Sequence, residues 1–99
     1  MALPKLPKGI KFVKGPNYKK YTAILPDGKR VHFGDRRYQH YKDWIPKRLG
    51  GKQWSHKDHL DPKRRANYRS RHYGMRCKDG KRCVTKKYSP AWFSFYFLW

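Results

Sequence analysis

Apolar and polar residues alternate most regularly in KKYTAILPDGKRVHF, residues 19–33. Two β-rich runs flank Pro26-Asp27-Gly28. Proline suits the first central position of a turn, aspartate the second, and glycine the left-handed position that follows. The sequence therefore predicts a hairpin over about residues 20–34, closed by a three-residue loop with a glycine bulge. Its register follows from the loop. Leu25 faces Lys29, Ala23 faces Val31 and Tyr21 faces Phe33 on one side. Ile24 with Arg30 and Thr22 with His32 share the other. The first face is apolar except at the turn, as a strand covering a core requires.

Two stretches read as helices. In DPKRRANYRSRHYG, Asp61 is a good N-cap, Pro62 fits the first helical position and Gly74 fits just past the end. A helix over about residues 62–73 follows. Pro62, Ala66, Ser70 and Tyr73 form its narrow uncharged stripe, and Lys63, Arg64, Arg65, Arg69 and Arg71 fill most of the rest. Such a helix has no apolar face of its own, so it must pack on the hairpin or bind something negative. In SPAWFSFYFLW, Ser89 and Pro90 open an aromatic helix, with a strand as the competitor. As a helix it turns Trp92, Phe95 and Trp99 inward and Phe93 and Phe97 toward a partner.

The remaining segments are less regular. Residues 1–17 carry prolines and lysines and read as an extended basic arm, outside a domain of residues 18–99. Leu3, Leu6, Ile10, Phe12 and Val13 would let the arm lie along a groove. Tyr38, Tyr41 and Trp44 recur every three residues and suggest a helical turn before Ile45-Pro46 stops it. Gly50-Gly51 reads as a flexible loop. MRCKDGKRCVTKKY predicts a second short hairpin over about residues 75–86. The fold class expected is α+β, a small single domain.

Charge changes this picture more than length does. The chain has 99 residues, with 26 Lys and Arg against 6 Asp and Glu, a formal charge of +20. Such a chain repels itself and calls for polyanions or acidic surfaces nearby. Hydrophobic content is only 37%, which by itself suggests disorder, but the 17% of aromatic residues can bury large areas. A thin core completed by local order and partners is the expectation. The N-terminus shows no signal peptide, and no stretch reaches the ~18–20 apolar residues of a spanning helix.

Candidate chemistry is sparse. The six acids are Asp27, Asp35, Asp43, Asp58, Asp61 and Asp79, and there is no glutamate. No carboxylate pair, phosphate loop or nucleophile motif is present, so no enzyme, catalytic residue or cofactor is expected. Cys77 and Cys83 are too widely spaced for the usual zinc knuckle, so no metal is expected. They are either bridged across the second turn or free thiols. Nucleic-acid binding has the right charge without a named motif, so it would run through phosphates without sequence preference.

Three stretches, DGKRVHFGDRRYQHY, HKDHLDPKRRANYRSRH and SPAWFSFYFLW, together resemble a short, uncharacterised basic domain family of large nucleocytoplasmic DNA viruses, including iridovirus-like and mimivirus-like groups. That family runs from an FDGK…FG…Y.DY stretch to HKD..R..RY..RH and a closing aromatic LLW-type end. The likeness covers roughly residues 20–99. It departs between Trp44 and Trp54, which looks like an insertion, and at the cysteine-bearing turn. The resemblance implies a viral protein with no established catalytic residues, made in the host cytoplasm and carried in the virion. The function expected is a minor capsid, or cement, protein bridging capsid or other virion proteins. Trp92, Phe93, Phe95, Phe97 and Trp99 would be the protein-partner contacts, and Lys63, Arg64, Arg65, Arg69 and Arg71 the contacts to nucleic acid or an acidic partner. The alternative is a sequence-independent DNA-binding or genome-condensing protein. No small-molecule ligand is expected.

Overall fold

The Pro26-Asp27-Gly28 turn forms where the sequence places it. Gly28 holds a φ of 90°, and the Leu25 carbonyl accepts from Gly28 N–H at 2.9 Å. The two strands beside it are antiparallel, with Tyr21 opposite Phe33, Thr22 opposite His32 and Ala23 opposite Val31. Tyr21, Ala23, Leu25, Val31 and Phe33 are all buried. The computed structural model describes residues 3–99, and its elements are β1 (Lys11–Lys14), β2 (Tyr21–Ile24), β3 (Arg30–Phe33), α1 (Pro62–Tyr73) and α2 (Pro90–Phe97). Short 3-10 turns stand at Lys47–Leu49, Ser55–Lys57 and Cys83–Thr85. The class is α+β in a small single domain, and no helix among the described residues is long and apolar enough to cross a membrane.

The sheet has a third strand that the sequence hides. β1 pairs antiparallel with β2, with Phe12 opposite Ala23 and Lys14 opposite Tyr21. Its alternation is short: Phe12 is buried while Lys11, Val13 and Lys14 point out. Ile10 is buried too, and Leu3 and Leu6 pack against the core. Much of the expected arm is thus part of the domain, because the free edge of β2 and the apolar side of Phe12 both need covering.

Rings make the core. Phe33 stacks on Phe93 at 5.0 Å, Tyr21 lies 5.7 Å from Phe33, and Phe12 meets Phe93 edge-on at 5.9 Å. α2 starts as expected, its cap Ser89 Oγ accepting from Trp92 N–H at 3.1 Å. Its orientation differs from the expectation. Phe93 and Phe97 face the sheet, where Phe97 lies 6.4 Å from Phe12. Phe95 and Trp99 face α1, and Trp92 packs on Tyr88 and Tyr96. Trp92, Phe93, Phe95 and Phe97 are therefore enclosed by their own chain. A helix apolar on every side is a buried helix, which corrects their assignment as contacts to a neighbouring protein. Trp99 is half-buried and stacked on Tyr68 at 4.0 Å.

Two other expectations change, and a third holds. Residues 38–44 form no helical turn; His40 instead makes a parallel bridge to Asp58. Gly50-Gly51 is a close-packed bend rather than a loose loop. A Cβ on Gly50 would meet the Phe12 carbonyl oxygen at 1.9 Å, and one on Gly51 the Ile45 carbonyl oxygen at 2.1 Å. The second hairpin exists in its shortest form, one antiparallel bridge from Arg76 to Arg82. Cys77 and Cys83 are joined by a disulfide across it, with Cα atoms 5.2 Å apart.

Candidate nucleic-acid interface

α1 has the bounds expected, and Asp61 caps it by accepting from Lys63 N–H at 3.0 Å and Arg64 N–H at 3.4 Å. The inward face is different. Pro62, Ala66, Ser70 and Tyr73 are exposed, while Arg65, Tyr68, Arg69 and His72 are half-buried. Arg69 lies 4.0 Å over the Phe95 ring and donates to the Phe95 carbonyl at 3.1 Å. Arg65 lies over Tyr41 and donates to the main-chain oxygen of Trp99 at 2.7 Å. Two guanidiniums thus meet the carbonyl-rich C-terminal end of α2, where its dipole favours cations. Arg65 and Arg69 hold the fold together. Of the five cations first expected to contact an anion, Lys63, Arg64 and Arg71 remain exposed.

The carboxylates are also used internally. Asp27 accepts from Lys29 N–H at 2.9 Å and Asp79 from Lys81 N–H at 3.0 Å, each within its turn. Asp35 takes Arg37 Nε at 3.0 Å and Nη2 at 2.8 Å, and this guanidinium holds its carboxyl down to about 2. Asp61 caps α1. Asp43 and Asp58 belong to a buried network. Asp43 accepts from Tyr21 Oη–H, Ile45 N–H and Trp54 N–H, and Asp58 accepts from the Asp43 N–H. Lys20 Nζ lies 2.6 Å from His40 Nδ1, and His40 Nε2 lies 2.6 Å from Asp58 Oδ1. That order fits a neutral imidazole, accepting from the ammonium and donating to the carboxylate. Lys20, His40 and Asp43 are 2%, 0% and 1% exposed. The network joins residues 40–58 to β2 as a clamp.

Burial gives this clamp a pH dependence. Desolvation, then the Lys20 charge, push His40 from 6.5 down to about 4. The unfolded chain therefore takes up a proton near 6.5 that the folded protein refuses until about 4. Stability must fall as pH drops through that window. Desolvation, then Lys57, lower Lys20 to about 8. Its contribution runs the same way, with stability rising between pH 8 and 10.5. Thermal unfolding should show the midpoint climbing between pH 4 and 6.5; a midpoint that is flat or falls there would contradict the neutral buried imidazole.

With six acids against 26 Lys and Arg, most of the surface charge stands uncompensated. Five cations gather along the outer edge of β3. An open groove of about 590 Å³ runs there between the sheet and residues 86–90. Lys19, Lys29, Arg30, Lys86 and Lys87 line it, beside His32 and Tyr88. No carboxylate lines it, and the nearest acid pairing is Asp79 to Lys86 at 3.4 Å. His32 is held by Thr22 at 2.6 Å, and the Lys87 ammonium lies 5.3 Å from the Tyr88 ring centroid. The groove is hidden in the sequence because its cations come from three separate segments. Only the first DGKR, residues 27–30, reaches it, through Lys29 and Arg30; the second, at 79–82, lies outside its lining.

Residues 15–48 match the signature of a family of unknown function, DUF5754. This stretch is about a third of the chain, and it contains β2, β3 and the clamp residues Lys20, Tyr21, His40 and Asp43. It also contains Lys19, Lys29 and Arg30 of the groove. No curated protein and no solved structure matches the chain.

Proposed function

We propose that this protein is a non-enzymatic, sequence-independent nucleic-acid-binding protein that holds phosphates in the groove beside β3. One observation carries the reading: all six carboxylates have partners within the fold, while five cations line one groove with no acid in its wall and only Lys86 of them is paired, with Asp79. Fixed cations along a concave track attract a phosphate backbone and release its counterions. Lysines and arginines on phosphates read no bases. In a virus of the kind the sequence resembles, the protein would be a virion component lying against the packaged genome. The capsid-cement reading loses the aromatic anchors it relied on, and basic charge is its remaining support.

Two duplexes of equal length and unrelated sequence should bind with affinities within about threefold of each other, since phosphate contacts carry no sequence information. The paired change Arg30→Ala and Lys87→Ala should weaken both equally and lower the salt dependence by about two counterions. A strong preference for one sequence, or no change in the paired variant, would contradict the assignment.

A further inference from the structure

A second concavity, of about 360 Å³, lies between the Gly34–Gln39 segment and α1, and shares no lining residue with the β3 groove. Arg64 and Arg71 stand on its α1 side, two helical turns apart. Gln39 Oε1 accepts from Arg64 Nη1 at 2.9 Å, which orients that guanidinium and leaves its other N–H groups free. Arg71 has no protein acceptor among the described residues. Across from them stands Tyr38, which is 64% exposed. The back wall is Leu98 and the Trp99 ring stacked on Tyr68. One carboxylate, Asp35, lies at the rim, and Arg37 neutralises it through two bonds.

Two guanidiniums, Arg64 with one amide partner and Arg71 with none among the described residues, share a cleft with an exposed phenol, which is the chemistry of a base-and-phosphate site. The volume is at the small end of ligand sites, with room for one nucleotide but not a base pair. We propose that this cleft binds one unpaired nucleotide, its phosphate between Arg64 and Arg71 and its base against Tyr38. The inference rests on the nucleic-acid reading for its partner class, and it adds a preference for single strands that the β3 groove does not supply.

The test measures binding of the full chain to a short oligo(dT), to a blunt duplex and to free AMP by fluorescence anisotropy and calorimetry. Tyr38→Ala removes an exposed ring, so the fold should survive, and near-ultraviolet circular dichroism checks this. It should weaken oligo(dT) about tenfold and leave the duplex unchanged. Arg64→Ala with Arg71→Ala should also weaken the strand more than the duplex. AMP binding lost in the same variants would support the site and extend it to the free nucleotide; AMP failing to bind while oligo(dT) behaves as stated assigns it to strands. If Tyr38→Ala leaves oligo(dT) binding unchanged, or weakens strand and duplex equally, the cleft is not a nucleotide site, although the β3 groove assignment stands. If wild type binds neither strand nor duplex, both assignments fall.

Discussion

Asp43→Ala is expected to cost about 3–5 kcal/mol and to leave the protein without a cooperative thermal transition. Small domains have only about 5–15 kcal/mol of stability in all. Asp43 is 1% exposed and joins three parts of the chain. Its carboxylate takes the Tyr21 hydroxyl from β2, the Ile45 N–H at 3.1 Å and the Trp54 N–H at 3.2 Å. Alanine would leave those buried donors without an acceptor, and water cannot reach them. Asp43→Asn keeps one acceptor oxygen and should cost less. Tyr21→Phe should cost about 1–3 kcal/mol, because the phenol oxygen also accepts from Gln53 N–H at 2.9 Å. Denaturant unfolding ranks the three variants. An Asp43→Ala protein within about 1 kcal/mol of wild type would show that the clamp is not structural.

Gly50→Ala is the second large effect. Gly50 has a φ of 100°, and an added Cβ would lie 1.9 Å from the Phe12 carbonyl oxygen. Neither atom is the end of a flexible side chain, so β1 itself would have to move. Gly28 supplies the comparison, with a φ of 90° but nothing within 4 Å of its Cβ position. Gly28→Ala should therefore cost only the left-handed penalty of about 1–2 kcal/mol. Gly50→Ala should cost about 3 kcal/mol or more and strip hydrogen-exchange protection from β1. Equal costs for the two substitutions would mean that the bend does not brace β1.

These two sites mark where the sequence stops being readable. Local signals located the β2–β3 hairpin to the residue, because turn chemistry and period-two alternation lie within fifteen positions. They also bounded α1, through Asp61 and Pro62, and started α2, through Ser89 and Pro90. What failed was long-range. Phe12 alone could not announce a strand; it becomes one only against β2. Gly50-Gly51 looked loose because the Phe12 carbonyl it accommodates is nearly forty residues away. The inward face of α1 is hidden in the sequence because arginine, ordinarily an outward residue, lines it. Arg65, Tyr68, Arg69 and His72 had the i, i+3, i+4, i+7 spacing of a packed face all along. Guanidiniums can fill that role when ring faces and free carbonyls stand opposite. The same reasoning explains the aromatic end. In a chain so poor in aliphatic residues, the rings of α2 are needed for its own core, and what is left for partners is charge.

The functional account therefore stands on charge, and salt is its most direct test. Duplex affinity should be measured from about 50 to 200 mM salt and plotted as log K against log salt. With about five cations on phosphates, the account predicts a line of slope about −4 to −5, equal for unrelated sequences. Undetectable binding at low salt, or a slope near zero, would contradict it.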